Sequence, residues 1–306
     1  MAFDEAGGGV DSTARSRRAP RWRSVATAAA AFLLLVVAWE LVKVVVPVDG
    51  VTVGGTRVLP RTSDAAMPHV WTVLGRLADP EVVGAAQPRA VGVAVALGAL
   101  FTLRLALGGL VLGGVLGVLL ALLMQRSGLL ERALLPYVVA SQTVPLIAIA
   151  PLVAGWGGKI AVFGHPWQPW TSVMVIAAYL AFFPIAVGML RGLSSPRAAD
   201  VELFRALACS WWTTLLRLRL PASVPFVLPA VRLAAAAAVI GAIVAEISTG
   251  TRGGIGRLII EYAQAATGDP ARMYTAILGA AVLGLVAAAA VGLLDIALRR
   301  YQAVQR

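Results

Sequence analysis

Charge is scarce in this 306-residue sequence: Asp, Glu, Lys and Arg make up 13% of it, against about 25% in ordinary soluble domains. A chain of this length is long enough to bury a large soluble core, but a water-facing surface needs more charge than it offers. Soluble globular classes are therefore excluded. Acidic residues are scarcer still, 15 against 26 basic ones, which leaves a formal net charge of +11. That excess makes no basic patch for nucleic acid, because the arginines are strung between apolar runs. Cysteine occurs once, at Cys209, which excludes an internal disulfide. Histidine occurs twice, at His69 and His165, far apart and without the Cys or carboxylate companions of a metal site.

What is present is apolar: 59% hydrophobic residues and a mean hydropathy of +0.84. These residues come in runs long enough to cross a bilayer, which takes roughly 20 helical residues. The first, Val25 to Val46, follows a polar stretch that ends in RSRRAPRWR. It exceeds the roughly 7–15 apolar residues of a signal peptide and no A-x-A cleavage pattern follows, so an uncleaved first span is expected. Near its far end Glu40 and Lys43 are spaced to meet on one helix face. Residues 47–95 hold too many Pro, Gly, Asp and Arg to cross, and read as an external connection with one short surface helix. Further spans are expected at about 103–124, 134–154, 170–190, 228–247 and 274–298, about six in all. Shorter apolar patches at 91–101 and 257–266 read as interfacial helices.

Lys and Arg accumulate on the cytoplasmic flanks of membrane spans. With the N-terminus inside, Arg15, Arg17, Arg18, Arg21 and Arg23 fall on that side, as do Arg126 and Arg132. The group Arg191, Arg197, Arg205, Arg217 and Arg219 joins them, with Arg299, Arg300 and Arg306. The opposite orientation leaves inside only sparse charges such as Lys159, Arg252, Arg257 and Arg272. An even number of spans with both termini cytoplasmic is the consistent solution. The expected organisation is an N-terminal tail over 1–24, a first span over 25–46 and an external connection over 47–95. A transmembrane domain over 96–300 follows, with a cytoplasmic loop at 191–227, and then a tail over 301–306.

That loop contains ELFRALACSWWTTLLRLRLPASVPF, Glu202 to Phe226. Phe204, Leu207, Ala208, Trp211, Leu215 and Leu218 recur at three- and four-residue steps, while Glu202, Arg205, Cys209, Thr213 and Arg217 take the other side. One amphipathic helix from Glu202 to Leu220 is expected. Pro221 ends it, and Pro225 and Pro229 prevent quick resumption. From the pattern alone, a helix that only lies on the membrane is the alternative.

The spacing resembles the EAA motif in the cytoplasmic loop of type I ABC importer permeases: a Glu, two alanines, a glycine a few residues on, and a closing Leu-Pro. Glu202 stands at the Glu, Leu203 and Phe204 at the alanines, Ala208 at the glycine, and Leu220 with Pro221 at the closing pair. SQTVPLIAIAPLVAGWGG (Ser141 to Gly158) and FFPIAVGMLRGLSS (Phe182 to Ser195) resemble the nitrate, sulfonate and taurine branch of these permeases, and AEISTGTRGGIGRLI after the fifth span extends the family likeness. The likeness covers roughly residues 95–300. It implies an all-α integral membrane fold with a MetI-like ABC permease core in the cell membrane. Two copies would form the pathway, each docking a cytoplasmic ATPase subunit that carries ATP and Mg, while an external solute-binding protein delivers the solute. No cofactor is implied for this chain. Nitrate, sulfonates, taurine and vitamin or pyrimidine precursors are the implied substrate range. The docking residues implied are Glu202, Arg205, Ala208, Ser210, Trp211, Leu220 and Pro221.

No ATPase motif is encoded. AGWGGKIA lacks the first glycine and the hydroxyl residue of a P-loop, and GTRGGIG at 250–256 follows no strand and reads as a turn. Gly109, Gly113 and Gly117 form a small-residue strip suited to close helix packing. Ser141, Gln142 and Thr143, with Pro145 beside them, put polar groups into an apolar span, where pathway lining and interhelical bonding both remain open. Glu246, at the outer end of the fifth span, is either a gate residue or an interfacial carboxylate near Arg252. The runner-up function is an ion-coupled secondary transporter, which calls for an inverted repeat and intramembrane acids. A membrane enzyme needs converging reactive groups, and Glu40, Glu246, Glu261 and Asp295 are sparse. Co-purification of an ATPase separates the first reading from the other two.

Overall fold

The structure, a computed structural model, describes residues 21–81, 89–162 and 164–302 and divides into two compact units, residues 1–63 and 64–306. The tail bearing Arg15, Arg17 and Arg18, and the end bearing Arg306, lie outside the described residues.

In the first unit, helix α1 (Arg21–Val45) has 25 residues, about 37 Å at 1.5 Å per residue and enough to cross a hydrocarbon layer of about 30 Å. Its Phe32, Leu33, Leu34 and Leu35 are exposed. An antiparallel hairpin of β1 (Val51–Val53) and β2 (Thr56–Leu59) follows, in a stretch where only a connection was expected. Its two-residue turn is Gly54-Gly55, both with positive φ, which suits the right-handed twist of the strands. Thr62 ties the hairpin back to the helix end. Its hydroxyl donates to the carbonyls of Val46 (2.9 Å) and Pro47 (3.2 Å), and its own carbonyl accepts from Lys43 Nζ at 3.3 Å.

The second unit starts with the short helix α2 (Val70–Arg76), the surface helix expected in the external connection. Helix α3 runs without interruption from Val91 to Arg126. The 91–101 patch is therefore the first part of a span and not a separate interfacial helix. The reason is a continuous buried stripe, Val91, Ala94, Val95, Gly98, Thr102 and Leu105, with no proline to break it. After it come α4 (Gly128–Ala140), a 3₁₀ turn at Ser141–Thr143, and α5 (Leu146–Gly157). These two helices meet at a bend of 99°, so in place of the straight span expected at 134–154 there is a bent pair, a broken span or a re-entrant loop. Pro145 causes the break, since the residue before proline is pushed out of the helical region and Val144 is extended (φ −73°, ψ 126°).

A two-residue hairpin, β3 (Ala161–Val162) with β4 (His165–Pro166), leads into α6 (Pro169–Leu193). Then follow α7 (Ala198–Ala206), α8 (Trp211–Thr214), a π turn at Leu215–Arg219, and α9 (Leu220–Thr249). Helix α10 (Ile255–Gln264) covers most of the second short apolar patch, with Ile255, Gly256 and Tyr262 buried. Helix α11 (Pro270–Gln302) closes the fold. Val91–Arg126, Pro169–Leu193, Trp211–Thr249 and Pro270–Leu293 are each long and apolar enough to span a bilayer. With the broken pair and α1, they account for about six spans.

Small residues hold the spans together, as they must where lipid removes the hydrophobic drive between helices. A Cβ at Gly109 would lie 2.9 Å from the Met174 carbonyl oxygen, at Gly113 2.5 Å from that of Ala178, and at Gly117 2.6 Å from that of Phe182. The glycine strip thus brings the backbones of α3 and α6 together within one chain. Gly188 meets Ala230 and Gly192 meets Ser223 in the same way, seating α9 on α6.

Candidate functional site

The loop following α6 does not carry one helix over 202–220. Helix α7 stops at Ala206, and Ala208 adopts φ +51°. The Ala208 amide donates to the Arg205 carbonyl (2.9 Å) and the Cys209 amide to that of Phe204 (3.0 Å), the paired bonds of a Schellman closure. Its left-handed position usually falls to glycine. Ala208 therefore occupies the glycine position of the EAA spacing because the backbone reverses there. Ser210 restarts the chain as the N-cap of α8, its Oγ accepting from the Thr213 amide at 3.2 Å. The result is two helices meeting at a tight knuckle, residues 207–210.

Pro221 does not end a helix either. It lies in the first turn of α9, within a helical stretch running from Trp211 to Thr249. Proline lacks an amide and crowds the carbonyl four residues back. The π turn just before it widens the ladder, with Leu220 N–H bonding to the Leu215 carbonyl. The helix therefore passes through Leu220 and Pro221.

The far side of the knuckle is anchored. The Arg126 guanidinium, at the C-terminal end of α3, sits 5.0 Å from the Trp211 ring centroid. Arg219 Nη1 donates to the Leu193 carbonyl at 3.1 Å, at the end of α6. Leu215 is buried, and Trp211 and Leu220 are half-buried. Glu202, Arg205, Leu207, Ala208, Ser210, Trp212 and Pro221 are exposed. Those residues form the exposed surface of the loop, above the helices that anchor it.

At the bend between α4 and α5, Ser141 Oγ donates to the Val138 carbonyl (2.7 Å) and Thr143 Oγ1 to that of Ala140 (2.8 Å). The Tyr179 hydroxyl on α6 donates to the Ser141 carbonyl. These bonds satisfy backbone groups that the break would otherwise leave bare. Ser141 is half-buried, whereas Gln142, Thr143 and Pro145 are exposed, and the Gln142 side chain has no partner among the described residues.

Glu246 is wholly buried, unlike an interfacial carboxylate. Thr102 Oγ1 lies 2.8 and 2.9 Å from its two oxygens, and the Gly256 amide donates to Oε2 at 2.9 Å. The Thr102 hydroxyl in turn accepts from the Ile255 amide at 2.9 Å. The first two amides of α10 thus point at a buried carboxyl group and its hydroxyl partner, which satisfies amides that a helix start leaves without partners. A Cβ on Gly254 would fall 2.0 Å from the carboxyl carbon, so only glycine leaves room. GTRGGIG is indeed a turn, and it closes around the protein's own carboxylate. Sequence reasoning missed Thr102, Gly254 and Gly256; the available signal was a glycine-rich turn just past a lone acid.

Outside the spans, Tyr262 on α10 donates to Glu81 Oε1 (2.8 Å) and lies under the Arg272 guanidinium, 4.1 Å from the ring centroid. Burial, and then the Glu81 carboxylate, push its hydroxyl up to about 12, so it remains a donor. Arg76 Nε pairs with Asp269 Oδ2 at 2.7 Å. The string AGWGGKIA has a packing reason: a Cβ on Gly157 would strike the Trp167 indole at 2.2 Å, and that indole donates to Ser172 Oγ at 2.7 Å.

The family model described as binding-protein-dependent transport system inner membrane component matches residues 113–300. A formylaminopyrimidine transport permease protein of Halalkalibacterium halodurans is 41% identical over 138 residues, 45% of this chain and 52% of that one. An aliphatic sulfonates transport permease protein, so described putatively, of Bacillus subtilis is 31% identical over 156 residues, 51% and 53% of the two chains. A riboflavin transport system permease protein of Chloroflexus aurantiacus is 31% identical over 176 residues, 57% and 60%. The matched regions thus span about half to three fifths of these relatives. A solved amino acid ABC transporter with histidines superposes with a TM-score of 0.54 at 16% identity, over 67% of this chain and 94% of that one, and so shares the fold. With more than half of its length matched by that model, the chain belongs to the inner-membrane component family of binding-protein-dependent transport systems.

Proposed function

We propose that this chain is the membrane-spanning permease subunit of an ATP-driven importer. A second copy completes the pathway, and a small solute arrives from an external binding protein. ATP and Mg are held by a separate ATPase chain, which docks at the knuckle over residues 207–210. The supporting observation is that turn: it is exposed, closed by a Schellman motif, spaced like the EAA segment, and anchored through Trp211 and Arg219 to the ends of α3 and α6. A rigid projection rooted in two spans is what transmits a movement of a docked partner into the membrane. Both termini are cytoplasmic in this reading, from the arginine distribution. Gln142, Thr143 and Pro145, exposed at the bend, line the pathway with Ser141 behind them. Glu246 acts on that pathway indirectly, by holding α10. The relatives' named cargoes, a formylaminopyrimidine, sulfonates and riboflavin, support a small polar or anionic organic solute.

Purification of the tagged full-length chain from its own membranes tests the proposal. An ATPase subunit should co-purify, and Ala208→Trp, which puts bulk on the exposed knuckle, should release it while the permease stays in the membrane. Ala208→Gly, which suits the backbone there, should retain it. If uptake persists without an ATPase, or the Trp variant keeps both the ATPase and full transport, the coupling assignment is lost.

A further inference from the structure

Arg104 is a cation within a span that makes none of the contacts described above. Arg104 lies on α3, about 33 Å of helix before Arg126 at 1.5 Å per residue, which puts it near the outer edge of the hydrocarbon layer. It is two positions from Thr102, about 200° around the helix, and so faces away from Glu246. Arg104 is exposed, and among the described residues nothing bonds or pairs with it. Its neighbours on that face, Leu97, Leu100, Leu107 and Val111, are 50 to 66% exposed and purely aliphatic. A guanidinium set in such a face is costly unless an anion or water meets it.

The space to receive one is present. Arg104 lines a cavity of about 490 Å³ with Phe101, Leu105, Gly108, Trp170 and Met174. No carboxylate is among these residues, so the cavity supplies no counter-charge of its own. Met174 lies directly over Gly108, where a Cβ would come within 2.4 Å of its terminal methyl, so the glycine leaves room for Met174 against α3. Trp170 belongs to the first turn of α6, a helix of 25 residues with no acid in that turn and no side-chain cap on Gln168. Trp170 thus brings the start of that helix to the edge of the same cavity. A planar guanidinium beside an indole, near a helix start, suits a tetrahedral or planar oxyanion accepted through two parallel hydrogen bonds.

We infer that Arg104, with Trp170 and the start of α6, forms a binding site for an oxyanion, a sulfonate, phosphate or carboxylate group, at the outer end of α3. The group can come from a dissolved anion or from a lipid headgroup, and the chemistry of recognition is the same. The site does not depend on the ATPase, so its test is independent of the transport reading.

The full chain, in nanodiscs of phosphatidylcholine, is titrated with sodium sulfate against sodium chloride at matched ionic strength, following thermal unfolding. In parallel, native mass spectrometry scores phosphatidylglycerol against phosphatidylcholine retained from mixed lipid. Arg104→Gln should weaken one of these responses by about tenfold or more, as loss of a charge-assisted bidentate contact does, with Arg104→Lys in between. A sulfate response that depends on Arg104 identifies a dissolved anion, and an Arg104-dependent phosphatidylglycerol response identifies a headgroup. Should Arg104→Gln fail to insert, Trp170→Leu, which keeps the guanidinium and opens the cavity, must weaken the same response. If neither response differs between the wild type and these variants, the site does not exist.

Discussion

Thr102 and Glu246, 144 positions apart in the chain, share one hydroxyl proton between two carboxylate oxygens at 2.8 and 2.9 Å. The same hydroxyl accepts the Ile255 amide and lies 3.0 Å from the Gly98 carbonyl oxygen. Three helices, α3, α9 and α10, are thereby held at one buried point. Thr102→Val keeps the shape but strands the Ile255 amide and removes a donor from the carboxylate, which should cost about 1–3 kcal/mol. Unfolding in detergent measures the loss, and hydrogen exchange should quicken at Ile255 and Gly256 before the rest of the fold. Unchanged exchange at those two amides would show that the contact does not hold α10.

The two neighbouring glycines of α3 should behave differently. At Gly113 a Cβ meets the Ala178 backbone at 2.5 Å, whereas at Gly114 the nearest atom is the Ile185 Cδ1 at 3.5 Å. Gly113→Ala should destabilise by about 1–3 kcal/mol through forced separation of α3 from α6. Gly114→Ala should be neutral or mildly stabilising, by about 0.5–1 kcal/mol. Equal melting temperatures for the two variants would contradict the packing described.

Ala208 offers a substitution that should improve the fold. A left-handed residue with a Cβ carries roughly 1–2 kcal/mol of strain, part of which Gly gives back in unfolded-state entropy. Ala208→Gly should raise stability by up to about 1 kcal/mol, and Ala208→Val should lower it. A more stable Val variant would mean that the loop does not reverse there.

For Gln142, exposed at the bend and free of partners among the described residues, replacement by Leu should leave yield and melting unchanged while lowering uptake. A change in assembly with uptake per molecule intact would move Gln142 from the pathway to packing.

Cys209 is the sole cysteine, is half-buried, and lies within the knuckle, so it serves as a native reporter of sidedness. An impermeant maleimide should leave it unmodified in intact cells and label it in inverted vesicles. Labelling from outside would reverse the topology.

The spans were legible because apolar runs of bilayer length have few other readings, and the glycine strip announced close packing before its partner was known. The bend at Pro145 was legible only as a chemical irregularity, since its angle depends on how α5 finds room beside α9. The loop misled for a definite reason. Ala208 carries no breaker signal, yet tertiary anchoring at Trp211 and Arg219 holds it in a conformation usually left to glycine. Ser210 with Thr213, an N-cap pattern, was the visible hint. Pro221 was read as a stop, although the π turn before it widens the ladder enough for the helix to pass through. The burial of Glu246 was beyond local reasoning, because its partner Thr102 lies on another span.

The π turn at Leu215–Arg219 sets the rotation of one part of the Trp211–Thr249 rod against the other. A wide turn holds one residue more than an α turn in the same rise, so tightening it would twist everything on its N-terminal side by about 100°. Trp211 and the knuckle would swivel under Arg126, while Glu246, some 40 Å along the same rod at 1.5 Å per residue, kept its grip on Thr102. Deleting one residue of the π turn should therefore turn the docking face away from its partner while sparing the buried contact.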